Sequence, residues 1–143
     1  MIRIEVERVG SDFGFNSRDA HGHTIPIDTS PDTGGKNYGA RPMQLVLMSL
    51  GGCSGIDIIS ILNKQRIVVQ KFVMKIEGER EPDKTPSLWK TIFVTFELEG
   101  EMEAAMVKRA CELSINKYCS VAETLRRAGA EISWKAIVNG LDV

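Results

Sequence analysis

Between Pro42 and Lys64 the chain reads PMQLVLMSLGGCSGIDIISILNK, a helical run without a polar face. Leu45, Leu47, Met48, Leu50, Ile56, Ile58, Ile59, Ile61 and Leu62 cover nearly the whole circumference. Proline at the start is well placed, because its missing N–H would be unpaired in a first turn anyway. A helix apolar all round must be enclosed on several sides. A chain of 143 residues has room for one domain, 1–143, with one small core. Enclosing such a helix therefore calls for a second copy or another large packing partner. A bilayer is the other way to cover it, but Asp57 and the Gly51–Gly52 pair argue against a membrane span.

The rest of the chain groups strands and helices around this run. Ile2, Ile4 and Val6, with Val9, read as one strand, Asp12 to Asp19 as a second and Thr24 to Asp28 as a third. Pro26 gives no ladder donor, which places the third strand at an edge. SPDTGGKNYGARP is a loop-rich linker into the helix. Val68 to Glu77 and Thr91 to Glu99 alternate like half-buried strands around a polar loop. Glu101 to Ser114 is helical, Gly129 ends a second helical piece, and Ile132 to Val138 is a final strand. The order βββ-α-ββ-αα-β is that of an α+β fold.

Composition removes several functions. Lys and Arg, 18 in all, are mixed with 19 Asp and Glu, for a net charge of −1, and form no basic run. No nucleic acid partner is expected. The N-terminus MIRIEVERVG lacks an apolar signal region, so a cytoplasmic protein without a membrane partner is expected. Three cysteines in such a compartment rarely make structural disulfides, and there is no CxxC. His21 and His23 sit in a turn-like HGH, so no metal is expected.

Cys53 lies in LGGCSG, mid-helix. Gly51, Gly52 and Gly55 each cost the helix roughly 1 kcal/mol relative to alanine, so the cluster has a packing or access purpose. Either Cys53 is a small buried hydrophobe or the gap admits a substrate. Cys119 precedes Ser120-Val121-Ala122-Glu123, an S-x-x-E capping box that would start a helix at Ser120. The helix dipole, with Lys117, would then favour a thiolate at Cys119. The alternative is an unbroken helix from Glu101. Cys111 falls on the apolar seam with Ala104 and Val107 and reads as core. Arg18 and Arg41 are candidate cations near a thiol, or solvated arginines. Gln44 opens the helix and is placed to cap its first turn. Asp57, four residues after Cys53, shares its helical face and should meet a basic partner or solvent.

ARPMQLVLMSLGGCSGIDIISIL resembles the central-helix motif of the OsmC/Ohr family, in which a cysteine follows the helix-opening proline by eleven residues. NKYCSVAETL resembles that family's second cysteine motif, and PSLWKTIFVTFELEG also fits. The resemblance implies an intertwined homodimer of an OsmC-like α+β fold. Its parts are a three-stranded meander, a long buried central helix and a second small sheet with C-terminal helices. It also implies a cysteine peroxidase of the oxidative stress response. Cys53 attacks an organic hydroperoxide and becomes a sulfenic acid, and Cys119 condenses with it to a disulfide. An external dithiol, commonly lipoyl-linked, restores the thiols, with no resident cofactor. The family's glutamate after the proline is replaced here by Met43 and Gln44, the residues that would line the substrate side. Arg18 is the match for the arginine which that glutamate pairs with. Gln44 could hold the arginine without charge, or the arginine could be misoriented and activity weak. A weakly active or non-catalytic member binding an apolar small molecule in the dimer cleft is the alternative.

Overall fold

A computed structural model describes all 143 residues, which form two compact units, Met1–Met48 and Ser49–Val143. In the first unit β1 (Ile4–Val9), β2 (Gly14–Asp19) and β3 (Thr24–Ile27) form an antiparallel sheet in that order. Pro26 thus sits on an edge strand, as its missing donor requires. The register Val6 to Ser17 to Ile25 gathers Ile4, Val6, Phe15, Ile25 and Ile27 on one face. On that face Ile4 is 59 % and Val6 55 % exposed.

The linker after β3 is ordered around Asp28, which is buried. Its carboxylate accepts backbone N–H groups from Thr29 at 2.7 Å, Lys36 at 2.8 Å and Tyr38 at 3.1 Å. These donors, that of Tyr38 foremost, hold the Asp28 carboxyl below the usual aspartate range. Sequence reading offered no role for this residue.

Helix α1 spans Pro42–Lys64, the bounds of the apolar run that Pro42 opens. Gln44 caps it: its Oε1 accepts the Arg41 N–H at 3.1 Å, one half of a capping box. In the second unit β4 (Lys71–Arg80), β5 (Trp89–Glu99), β6 (Glu131–Val138) and β7 (Leu141–Asp142) make a sheet in that order. β5 and β6 are parallel, and the other neighbours antiparallel. The crossover between the parallel strands carries α2 (Ala104–Leu113) and α3 (Ser120–Arg127).

The sequence places β4 three residues too early. Arg66 adopts a positive φ of 62°, and the chain pairs with β5 only from Gln70, whose N–H donates to Glu99 O at 2.9 Å. β7 was not foreseen. Its signal is Asn139-Gly140, a pair in which both residues have positive φ, as a tight hairpin turn needs.

The core of this unit joins Leu50, Ile58 and Leu62 of α1 to Ile92, Val94, Phe96 and Leu98 of β5 and to Val107, Ala110 and Cys111 of α2. Phe96 lies between the rings of Phe72 and Trp134, at centroid distances of 6.3 and 6.1 Å. Gly51 and Gly55 let α1 lie against β4. A Cβ added at Gly51 would stand 2.9 Å from Ile76 Cδ1, and one at Gly55 2.7 Å from Met74 Cε. A Cβ at Gly52 would meet nothing within 4 Å. The chain therefore covers one stripe of α1, while Ile56 stays 73 % exposed on the other side. By length and hydropathy α1 could cross a bilayer, but it carries Asp57 mid-span and is packed on β4.

Candidate active site

α1 presents Cys53 and, one turn later, Asp57. The other half of the site is built by a break between α2 and α3. Ser114–Tyr118 widens into a π turn, and the Cys119 N–H donates to Ser114 O at 2.8 Å, five residues back. Such bulges occur often at functional sites. Cys119 then leaves the helix with ψ of 104°, and α3 starts at the next residue. The break is the arrangement the sequence favours, but its cap is different. Cys119 itself is the N-cap, its Sγ accepting the Ala122 N–H at 3.4 Å. Ser120 is already helical, and Glu123 pairs with Arg127 at 2.8 Å instead of closing a capping box.

This geometry brings together the two predicted cysteines and one carboxylate. The sulfurs of Cys53 and Cys119 and an Asp57 carboxylate oxygen all lie within 4.8 Å of one another. Both cysteines are free thiols. Their environments differ. Cys53 is half-buried, whereas Cys119 is only 3 % exposed. Burial pushes the Cys119 thiol up to about 11, against the N–H of Ala122, which favours its anion; the neighbouring Cys53 raises it further. The expected thiolate at Cys119 is thus corrected: desolvation outweighs the short helix. Nor does Lys117 serve it, since its ammonium lies over the Tyr118 ring, 5.3 Å from the centroid. Cys111 is fully buried, its thiol pushed up to about 12 by burial, and is core as expected.

Asp57 is half-exposed beside an open cavity and meets solvent, one of its two expected partners. Its Oδ2 is 3.4 Å from the Ser114 hydroxyl, which also donates to Ser54 O at 3.1 Å. Ser54 donates back to Leu50 O at 2.7 Å. These two fully buried serines were missed by sequence reading, although a serine inside an apolar helix is itself a signal.

The remaining expected residues lie in the first unit. Arg18 is paired with Glu7 at 3.3 Å, both partners largely exposed. Gln44 spends its carbonyl on the cap, and Met43 is half-buried beside it. Arg41 is exposed. His23 Nδ1 lies 2.7 Å from Asp19 Oδ2 in the turn, also exposed.

Cys53, Asp57 and Cys119 are also the residues able to hold a metal, a soft S₂O set of the kind zinc accepts. A cavity of about 510 Å³ opens beside Asp57, lined also by Ser60, Lys64 and Tyr118. One of about 320 Å³ reaches Cys119 past Lys117 and Glu123. A third, of about 790 Å³, is lined by Gly52, Gly55, Ile56, Ile59, Phe72 and Met74 and includes neither sulfur.

A family model described as OsmC-like protein matches residues 34–135, which include both cysteines. Protein YhfA of Escherichia coli K12 is 41 % identical over 115 residues, covering 80 % of this chain and 82 % of its own. The crystal structure of a hypothetical protein from Aquifex aeolicus VF5 superposes with a TM-score of 0.79 at 29 % identity, covering 97 % of this chain and 98 % of that one. An organic hydroperoxide resistance protein OsmC from Legionella pneumophila shares the fold, with a TM-score of 0.66 at 16 % identity over 95 % of this chain and 96 % of its own. With one family model spanning most of the chain and both cysteine motifs inside it, the chain belongs to the OsmC-like family.

Proposed function

We propose that the protein is a thiol-dependent peroxidase that reduces organic hydroperoxides in the cytoplasm. The observation that carries this reading is the pair of reduced sulfurs within 4.8 Å, one half-buried and one buried. The greater accessibility of Cys53 supports the order that the family resemblance implies. Cys53, as thiolate, attacks the terminal oxygen of ROOH; an S–O bond forms as the O–O bond breaks, the alkoxide leaves as alcohol with the proton the thiol had released, and Cys53 is left as the sulfenic acid. The Cys119 thiol then attacks that sulfur, forming the disulfide and releasing water. A dithiol supplied from outside, lipoyl-linked in this reading, takes the disulfide back to two thiols and is itself oxidised. Kinship with hydroperoxide resistance proteins supports the substrate class.

Arg18 is the cation assigned to the Cys53 thiolate. Its exposed pair with Glu7 is of the kind worth about 0–1 kcal/mol, so exchanging one anion for another costs little. Met43 and Gln44 are assigned to the substrate side, with the Gln44 amide nitrogen as donor. The working form is a homodimer. The bare stripe of α1 around Gly52 and Ile56 and the apolar face of β1–β3 are the surfaces a second copy would cover.

The purified protein should consume cumene hydroperoxide with a dithiol reductant, and Cys53→Ser should abolish that turnover. Unchanged turnover in Cys53→Ser would sink the reading. The apolar cavity of about 790 Å³ favours one second reading, a non-catalytic binder of an apolar small molecule. Intact mass after a stoichiometric dose of hydroperoxide separates the two. Loss of two hydrogens marks the peroxidase, and an unchanged mass the binder.

A further inference from the structure

We propose that Asp57 is the proton acceptor for the Cys119 thiol when that thiol attacks Cys53. The inference deepens the peroxidase reading for its hydroperoxide step, but it applies to any attack of Cys119 on an oxidised Cys53.

The geometry supplies the warrant. The Asp57 carboxylate lies within 4.8 Å of both sulfurs, and the i, i+4 spacing on α1 holds it beside Cys53. The Ser114 hydroxyl, whose one hydrogen is shared with Ser54 O at 3.1 Å, lies 3.4 Å from one of the Asp57 oxygens. Ser114 also accepts the Cys119 N–H on its backbone carbonyl at 2.8 Å, so one residue positions both the acid and the thiol. A rotation about the Asp57 side chain, or one bridging water, closes the remaining gap.

The chemistry needs such a group. A thiol attacks as its anion, and Cys119 is only 3 % exposed, so solvent has little access to take its proton. Cys119 therefore reaches the sulfenic sulfur still protonated. As the S–S bond forms, its proton passes to Asp57, the S–O bond of Cys53 breaks, and the departing hydroxide takes that proton as water. Asp57 ends as it began, and two electrons have passed from Cys119 to Cys53. The other charged or titratable groups near the pair are Lys64 and Tyr118, which share the Asp57 cavity, and Lys117, Glu123 and Arg127, which share that of Cys119. Glu123 is paired with Arg127 and Lys117 lies over Tyr118, which leaves Asp57 as the carboxylate within reach of both sulfurs.

The test uses the full chain and two oxidants. In the first arm the reduced protein receives an aromatic disulfide that marks Cys53 as a mixed disulfide, and release of the second aromatic thiolate times the attack by Cys119. Asp57→Asn should slow this release by on the order of 10²-fold at neutral pH. Its rate should then climb about tenfold per pH unit towards pH 11, where wild type is flatter. Asp57→Glu should recover part of the rate. In the second arm cumene hydroperoxide replaces the disulfide, and dimedone should capture a Cys53 sulfenic acid that persists in Asp57→Asn and vanishes quickly in wild type. An unchanged release rate and pH profile for Asp57→Asn in the first arm overturns the proposal. Should Asp57→Asn fail to fold, Ser114→Ala must slow the same release, and a wild-type rate there overturns it equally. A wild type inert to hydroperoxide while the first arm responds removes the peroxidase reading and leaves this one standing.

Discussion

Oxidation should stabilise this fold, and the size of the gain measures how well the two cysteines are poised. A Cys53–Cys119 bond closes a loop of roughly 67 residues, for which the loss of chain entropy in the unfolded state is worth about 4 kcal/mol. Two costs reduce it. The sulfurs must come from within 4.8 Å to bonding distance, and Cys119 Sγ must keep or surrender its cap on Ala122, a loss of about 1 kcal/mol. The net expectation is about 2–3 kcal/mol in favour of the oxidised form. With a urea dependence of about 1–3 kcal/mol per molar for small proteins, the midpoint should rise by roughly 1 M. Reduced and oxidised protein are compared in urea by circular dichroism at one concentration, the oxidised sample being verified by its loss of two hydrogens. Cys53→Ser should show no shift on oxidation. The same 2–3 kcal/mol places the couple about 40–65 mV more negative than an unconstrained dithiol, readable by redox titration. An oxidised form that unfolds at the same urea concentration or a lower one would refute the claim that these sulfurs are held ready. So would a peptide map showing the bond through Cys111.

Three further outcomes follow from packing and burial. Gly55→Val forces a branched side chain onto Met74, where a Cβ alone would already stand 2.7 Å from Cε; thermal unfolding should show a loss of about 1–3 kcal/mol. Ile56→Asp lies on the bare side of α1, so it should leave the chain folded but shift sedimentation from dimer to monomer; an intact dimer would remove this stripe from the interface. Cys111 binds its proton more tightly when folded, at about 12, than a free thiol near 9, so its contribution is full at neutral pH and is lost as pH climbs between those values. At pH 10 the loss is about 1–2 kcal/mol, and urea melts of Cys111→Val should show a correspondingly shallower alkaline decline.

Where local rules decide the outcome, the sequence was legible. Proline at N1 and a continuous apolar run marked α1, and alternation with Pro26 marked the meander and its edge. The cap of α3 was misplaced by one position because cap preferences favour hydroxyls and carboxylates, and a buried sulfur takes that place here. The two-residue β7 offers too short a pattern for alternation to register, although Asn139-Gly140 announces its turn. Residue spacing put Asp57 on the Cys53 face. That the same carboxylate also reaches Cys119 depends on the π turn at Ser114–Tyr118, a displacement that no periodicity encodes.

The helix entrance and the thiol pair are best understood together. With Met43 and Gln44 in place of a glutamate, the start of α1 is devoted to a neutral cap, the Gln44 carbonyl on the Arg41 N–H. No anionic side chain stands in its first turn. The carboxylate that does stand by the sulfurs enters from the middle of the same helix, 3.4 Å from the hydroxyl of a buried serine on the neighbouring helical segment. In the proposed reaction that carboxylate takes the proton of the buried Cys119 thiol at the moment of attack. The proposed reaction calls for a cation at its first step and a base at its second. Arg18 and Asp57 are the residues we assign to those two needs, and each can be removed without touching the other.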